Sequence, residues 1–257
     1  MGKLLGHQIK NHFKNNWFIP LLPLIFFMVG LAFNYINISW ADTSLSISVL
    51  SIPFGYMAAI ITVIVGDYNM FFGEEGLFYE SISLSPVAKT FSRLFYYLIM
   101  FFIYSIFMAA LFLLIMLPSG QAMDFASIQG ANWTKLMSEI NKVGTLNISI
   151  LCFWCLVLLI RSIAKIIFSI SAGGGKILKR FGFGATVIVY IVISFVESVI
   201  ISFMNNLNLL SNIKLYMANG DIFIRGTGIS FLIFILIEAP LFIYGVYYLH
   251  KNRISVN

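Results

Sequence analysis

The sequence predicts an all-α polytopic membrane protein: six transmembrane helices, an amphipathic helix before them at the membrane surface, and a short cytoplasmic helix between the second and third spans. Three observations predict it. Hydrophobic residues make up 60% and charged residues 10% of the 257 positions, whereas soluble domains carry about 25% charged residues. The mean hydropathy is +0.94, and six apolar runs each approach the roughly 20 residues needed to cross a bilayer as a helix. The basic residues collect beside alternate ends of those runs. One membrane domain over residues 1–257 is the economical organisation.

The first segment, Lys3 to Asn16, places Leu5, Ile9 and Phe13 four residues apart, with Lys3, Lys10 and Lys14 on the remaining surface. That is the pattern of a basic amphipathic helix lying on the inner membrane face. A secretory signal is excluded, because the following apolar run is too long and no small-residue cleavage site ends it. The spans then run over about 17–38, 47–66, 94–117, 146–170, 183–204 and 227–249. Pro20 and Pro23 in the first, and Pro53 with Gly55 in the second, predict kinks or locally opened hydrogen bonding.

Sorting the basic residues sets the orientation. With the N-terminus inside, the inner segments hold Lys3, Lys10, Lys14, Lys89, Arg93, Arg161, Lys165, Lys176, Lys179, Arg180, Lys251 and Arg253. The outer ones hold Lys135, Lys142, Lys214 and Arg225. Both termini are therefore expected in the cytoplasm of a cell that is expected to be bacterial. The net charge of +6 is explained by basic inner loops beside anionic lipid, and with no soluble domain to present a groove, nucleic-acid binding is not expected.

Two outer segments are long and half apolar. In Pro118 to Thr145, Trp133, Leu136, Met137, Ile140 and Val143 recur at helical spacing and predict an interfacial helix. In Asn205 to Gly226, Leu207, Leu209, Leu210, Ile213, Leu215 and Tyr216 predict a short re-entrant or interfacial helix.

The inner loop from Gly66 to Arg93 is several times longer than a plain connection needs. It mixes Asp67, Glu74, Glu75 and Glu80 with Phe71, Phe72, Leu77, Phe78 and Tyr79. Aromatic knobs supply affinity and acids supply register, so Phe71 to Glu80, with Gly76 in its middle, is a candidate docking surface for a soluble partner. Ser85 and Pro86 then fit an N-cap and first helical residue, from which Lys89 and Arg93 lead into the third span. The plainer alternative is an interfacial loop with no partner.

Glu75, Gly76, Leu77 and Glu80, followed by Leu84, Ser85, Pro86, Val87, Lys89 and Arg93, resemble the loop after the second span in permeases of the ABC-2 family of exporters. The motif match covers about 25 residues, whereas the layout of amphipathic helix, six spans and inside termini covers nearly the whole chain. Leu-Ser-Pro-Val stands here where many members have Leu-Pro directly. The resemblance implies that Phe71, Phe72, Glu74, Glu75, Gly76, Leu77, Phe78, Tyr79 and Glu80 form a coupling helix seated in a groove of an ATPase. It implies two P-loop ATPase chains carrying ATP and magnesium, and a second permease, identical or related. This chain carries no phosphate-binding loop of its own: Gly175 and Lys176 are followed by Ile177, and Ile170 stands where the first glycine is required. No cofactor is expected on it, and no enzymatic activity.

Ionisable residues inside spans are functional candidates. Glu238 lies about 16 Å from the inner end of the sixth span and Arg161 about 14 Å from that of the fourth, which predicts an ion pair. Glu197, two thirds of the way out along the fifth, has no basic residue at its depth. It is expected to be neutral, hydrogen-bonded or facing a wet cavity.

Other patterns carry little. Cys152 and Cys155 form C-x-x-C on a membrane helix and read as packing residues, while His7, His12 and His250 lack metalloprotease spacing. No metal site is expected. Gly173 to Gly175 read as a flexible joint, and three sequons, at Asn37, Asn132 and Asn147, are a weak pattern.

The function expected is therefore the transmembrane subunit of an exporter powered by a separate ATPase. Export is favoured over import because no substrate-capturing receptor is encoded. An aromatic interior with little fixed charge suits hydrophobic or amphipathic cargo: a peptide, an antimicrobial, a drug or a lipid. The alternatives are a proton-coupled secondary transporter using Glu197 and Glu238, and a membrane scaffold whose acidic loop recruits a partner without transport.

Overall fold

A computed structural model describes residues 1–36, 41–73, 75–82, 84–116, 145–175, 178–207, 214–218, 221–225 and 229–253. Its helices are α1 (Gly2–Asn16), α2 (Leu22–Tyr35), α3 (Ala41–Phe72), α4 (Gly76–Ser81), α5 (Pro86–Met116), α6 (Thr145–Gly173), α7 (Phe183–Asn206) and α8 (Ile229–Arg253). Among the described residues five segments, Val49–Phe72, Pro86–Phe112, Cys152–Gly173, Phe183–Asn206 and Ile233–Asn252, are long and apolar enough to cross a membrane. The outward residues Ile188, Ile191, Val192, Phe195 and Val199 show the consequence on α7: an exposed apolar surface that lipid covers without penalty and water does not.

The expected first span is shorter than a bilayer. A 3-10 turn at Ile19–Leu21, containing Pro20, precedes the 14-residue α2, which is about 21 Å long. Together they bend 55° from α1. Proline lacks the amide donor that a continuous α-helix needs, so the break falls where the sequence places Pro20. Pro53, by contrast, lies inside the unbroken 32 residues of α3.

The chain folds as two compact units, Met1–Ser83 with Phe91–Thr134 and Leu84–Thr90 with Lys135–Asn257. In the first, α3 and α5 run antiparallel: Tyr56 meets Ser105 at 3.1 Å, and Asp67 meets Arg93. Phe27, Ile52, Met108 and Leu111 form a buried cluster among α2, α3 and α5. In the second unit, α6 and α8 run parallel in a seven-residue register. Trp154 stacks on Phe231, Arg161 pairs with Glu238, and a side chain at Gly245 would meet the ring of Phe168. Contacts at this interval keep one seam of each helix facing its neighbour. Gly173 brings α6 against the backbone of Thr186 on α7.

Two expectations change. The second span continues as helix to Phe72 and the third begins at Pro86, so the inner connection is much shorter than Gly66 to Arg93. The N-cap holds: the amide of Ala88 donates to Ser85 Oγ at 3.2 Å. Within the segment 205–226, expected on the outer side, residues 214–218 and 221–225 form an antiparallel hairpin, β1 (Lys214–Ala218) with β2 (Asp221–Arg225), in which Tyr216 pairs with Phe223 in register. Leu215 and Tyr216 are thus on a strand, while Leu209, Leu210 and Ile213 lie outside the described residues, as does the expected interfacial helix of 118–145.

Candidate functional site

Two arrangements gather the candidate residues, one in each unit. In the first, α3 ends at Gly73, whose amide donates to the carbonyls of Tyr68 and Asn69. A side chain there would collide with the Asn69 backbone at 2.8 Å, and one at Gly76 with the Phe71 carbonyl at 2.9 Å, so two glycines permit the reversal into α4.

Inward-facing side chains fasten α4. Tyr79 is 1% exposed, its hydroxyl lies 2.7 Å from His7 Nδ1, and its ring packs against Phe71 with centroids 5.4 Å apart. Burial first, then the neighbouring charge of Glu75, pushes the Tyr79 phenol up to about 12. Glu75 is exposed and accepts from Asn11 Nδ2 at 3.0 Å.

Behind this junction lies a buried ion pair. Arg93 donates from Nε to both oxygens of Asp67, at 3.0 and 3.2 Å, and from Nη2 to Oδ2 at 2.5 Å. Tyr97 donates to the same Oδ2 at 3.2 Å. Both ionic side chains have no solvent exposure. The guanidinium also lies 4.7 Å from the ring centre of Phe71 and 5.7 Å from that of Phe72, a cation–π arrangement. α1 packs against this unit through Leu4, Gln8 and His12. Ser92 donates to Gln8 at 2.9 Å, and His12 Nε2 lies 2.6 Å from the Tyr104 hydroxyl. Burial lowers the His12 imidazole to about 4.

Of the candidate docking residues, then, Phe71, Phe72 and Tyr79 are buried in the chain itself. Gly76 is also buried, and Glu75 and Phe78 are exposed. Phe71 and Phe72 act as the anvil on which Arg93 rests and offer no knob to a partner; the physical reason is that α3 extends past the expected span end and carries both rings inward. Glu74 and the side chains of Leu77 and Glu80 lie outside the described residues.

The second unit brings together four charged side chains from three helices. The expected pair forms: Arg161 Nε donates to Glu238 Oε2. Arg161 also reaches Glu197 at 3.2 Å, and Lys165 Nζ donates to Glu197 Oε2 at 2.5 Å. Lys165 further sits 4.7 Å from the Tyr190 ring centre. The expectation that Glu197 lacks a base is overturned. Gly173 lies level with Thr186, so Lys165, Glu197 and Arg161 stand about 12, 16 and 18 Å above that level. Counting α7 from Phe183 includes its first turn, which lies below Gly173, and so overstates the depth of Glu197.

Cys152 and Cys155 are free and exposed, and among the described residues no three His, Cys, Asp or Glu side chains gather to hold a metal. Compared with protein-family models, with curated proteins and with solved structures, the chain matches none.

Proposed function

We propose that this chain is the membrane subunit of an ATP-driven exporter of the ABC-2 kind, moving hydrophobic or amphipathic cargo outward. Two permeases, identical or related, work with two separate P-loop ATPase chains. The observation that carries this reading is the α4 junction. A docking element that transmits force needs an exposed knob and a rigid attachment, and α4 has Phe78 exposed at 57% beside Tyr79 exposed at 1%. The attachment continues through Phe71 and Arg93 to Asp67, which ties α4 to both flanking helices. ATP-driven closure of the partner would then move α3 and α5 together as levers.

In this reading α2 with the residues flanking it is a sixth span, α1 lies along the inner surface, and both termini are cytoplasmic. Two facts support that placement. His7 and Asn11 touch Tyr79 and Glu75, so the N-terminal helix and the α3–α5 connection share one side. Parallel α6 and α8 bring the end of α6 and the C-terminal end of α8 to one side of their own unit.

Copurification with the ATPase tests the reading. Phe78→Ala should weaken the complex by about 30-fold, the effect of losing a central aromatic anchor worth about 2 kcal/mol, without changing the unfolding temperature. Charge reversal at Glu75 should weaken it too. Binding that withstands both changes would remove α4 as the docking element.

A proton-coupled transporter is the second reading, favoured by the four charges around Glu197 and Glu238. Transport into inverted vesicles that follows a proton gradient and ignores ATP would decide for it.

A further inference from the structure

Between α1 and the C-terminal half of α3 lies a cleft of about 270 Å³, the room of about nine liquid waters. Its walls carry the amides of Asn11, Asn15, Asn16 and Asn69, and among the described residues that line it Glu75 is the one ionic group. Lys10 and Lys14, though on α1, do not line it. The cleft therefore sets hydrogen-bonding amides and one carboxylate among apolar surface, and its described lining is negatively charged.

Its floor is unsatisfied. His12 is 1% exposed, and its Nδ1 is buried with no partner. That atom would be 3.6 Å from a side-chain carbon at Gly66, and the buried, unpartnered hydroxyl of Tyr96 would be 3.9 Å from the same point. Gly66 thus stands beside two orphaned polar atoms, of which His12 Nδ1 belongs to a lining residue and the Tyr96 hydroxyl lies behind the lining. Buried polar atoms are usually partnered, by protein, water or ligand. Burial keeps the His12 imidazole neutral above about pH 4, so it adds no positive charge to oppose a cationic ligand.

We propose that this cleft binds the headgroup of an ethanolamine phospholipid, with Glu75 receiving the ammonium and the asparagine amides and His12 completing its hydrogen bonds. The inference rests on the reading that α1 lies along the inner membrane surface, which brings the half-buried Leu5, Ile9 and Phe13 to acyl-chain depth and the cleft to headgroup depth. Charge selects among headgroups. An anionic one would bring net negative charge to Glu75 with no cation among the described lining residues to offset it, whereas an ethanolamine headgroup carries its own ammonium beside its phosphate; a trimethylated one has no N–H to donate to a carboxylate. A two-carbon ammonium joined to phosphate fits the volume and the sign.

The test uses the purified full chain in detergent, without any ATPase, and follows its unfolding temperature as short-chain phosphatidylethanolamine, phosphatidylcholine or phosphatidylglycerol is added. The ethanolamine lipid should raise the midpoint saturably, with an apparent affinity at least ten-fold above the other two. Glu75→Gln should remove that preference, as should Gly66→Val, which fills the floor; Lys14→Gln, outside the lining, should keep it. Equal responses to the three lipids, or a preference that survives both cleft substitutions, would overturn the site. An equal shift with free O-phosphoethanolamine would overturn the assignment to a lipid. Failure of the chain to enter bilayers at all would overturn the membrane placement with it, an outcome separable from a reconstituted chain that ignores headgroup identity.

Discussion

The buried Asp67–Arg93 pair makes the sharpest demand on the fold. Asp67→Leu takes from the guanidinium the carboxylate that its Nε and Nη2 hold, while it stays enclosed by Phe71 and Phe72. Arg93→Met leaves the carboxylate with the Tyr97 hydroxyl as its remaining described donor. Each substitution removes one side of a fully buried ion pair, and breaking one side of such a pair costs about 3–5 kcal/mol. Removing both together takes the whole pair away. The double substitution loses the cation–π contacts and leaves Tyr97 without its acceptor, a cost of about 1–3 kcal/mol. The double variant should therefore be more stable than either single one. Equilibrium unfolding in mixed micelles, read by intrinsic fluorescence on the four proteins of the cycle, measures the coupling. Additive losses, with the double variant the least stable, would refute the claim that these side chains act as a pair.

Gly173→Ala places a carbon 2.6 Å from the Thr186 amide nitrogen, where only backbone can yield. It should cost about 1–3 kcal/mol, whereas Gly184→Ala, with nothing within 4 Å, should be neutral or stabilising; comparison of the two unfolding midpoints checks this. His12 has a folded-state value of about 4 against 6.5 when unperturbed, so the unfolded chain takes up the proton first as pH falls. Its contribution is complete above about pH 6.5 and is lost between there and about pH 4. The unfolding midpoint of His12→Gln should accordingly show a weaker acid dependence over that window than the parent, and superimposable profiles would contradict it.

The apolar runs were legible because length and composition alone decide whether a helix can cross a membrane, and α6, α7 and α8 lie close to the runs that predict them. The ends were not, because helix continues where hydropathy stops. Asp67 follows one apolar run directly and Arg93 directly precedes the next. In two antiparallel helices those positions face each other, so the pair was available to a reading that placed both residues on helices. Treating Gly66 to Arg93 as a loop hid it, and made docking residues of Phe71 and Phe72. The hairpin had a signal as well: β-forming residues flank Asn219 and Gly220, the dipeptide that two-residue hairpins favour, and the repeated leucines before it drew the segment toward a helix. On α1 the apolar residues Leu5, Ile9 and Phe13 remain half-buried, while the adjoining stripe of Leu4, Gln8 and His12 is covered by protein. Amphipathic spacing identifies a helix and leaves open which stripe meets protein and which meets lipid.

The charges of the second unit form a chain, and the chain changes what a reciprocal substitution does. Arg161 contacts both Glu238 and Glu197, and Lys165 contacts Glu197. Exchanging Arg161 with Glu238 would rebuild one ion pair while setting a carboxylate at position 161 beside Glu197. Like charges this close in a poorly solvated site oppose each other, so the exchange should fail to restore stability even though the pair is real. Taking away one charge of each sign is different. Arg161→Met with Glu238→Leu leaves Lys165 and Glu197 as a balanced pair and replaces two charged groups by apolar ones of similar size. Breaking the pair with Glu238→Leu alone should cost about 3–5 kcal/mol, and adding Arg161→Met should recover most of that loss. Unfolding of the single, double and exchanged variants in the same micelles would decide it: recovery on exchange would mean that Arg161 serves Glu238 alone and that its contact with Glu197 has no energetic weight.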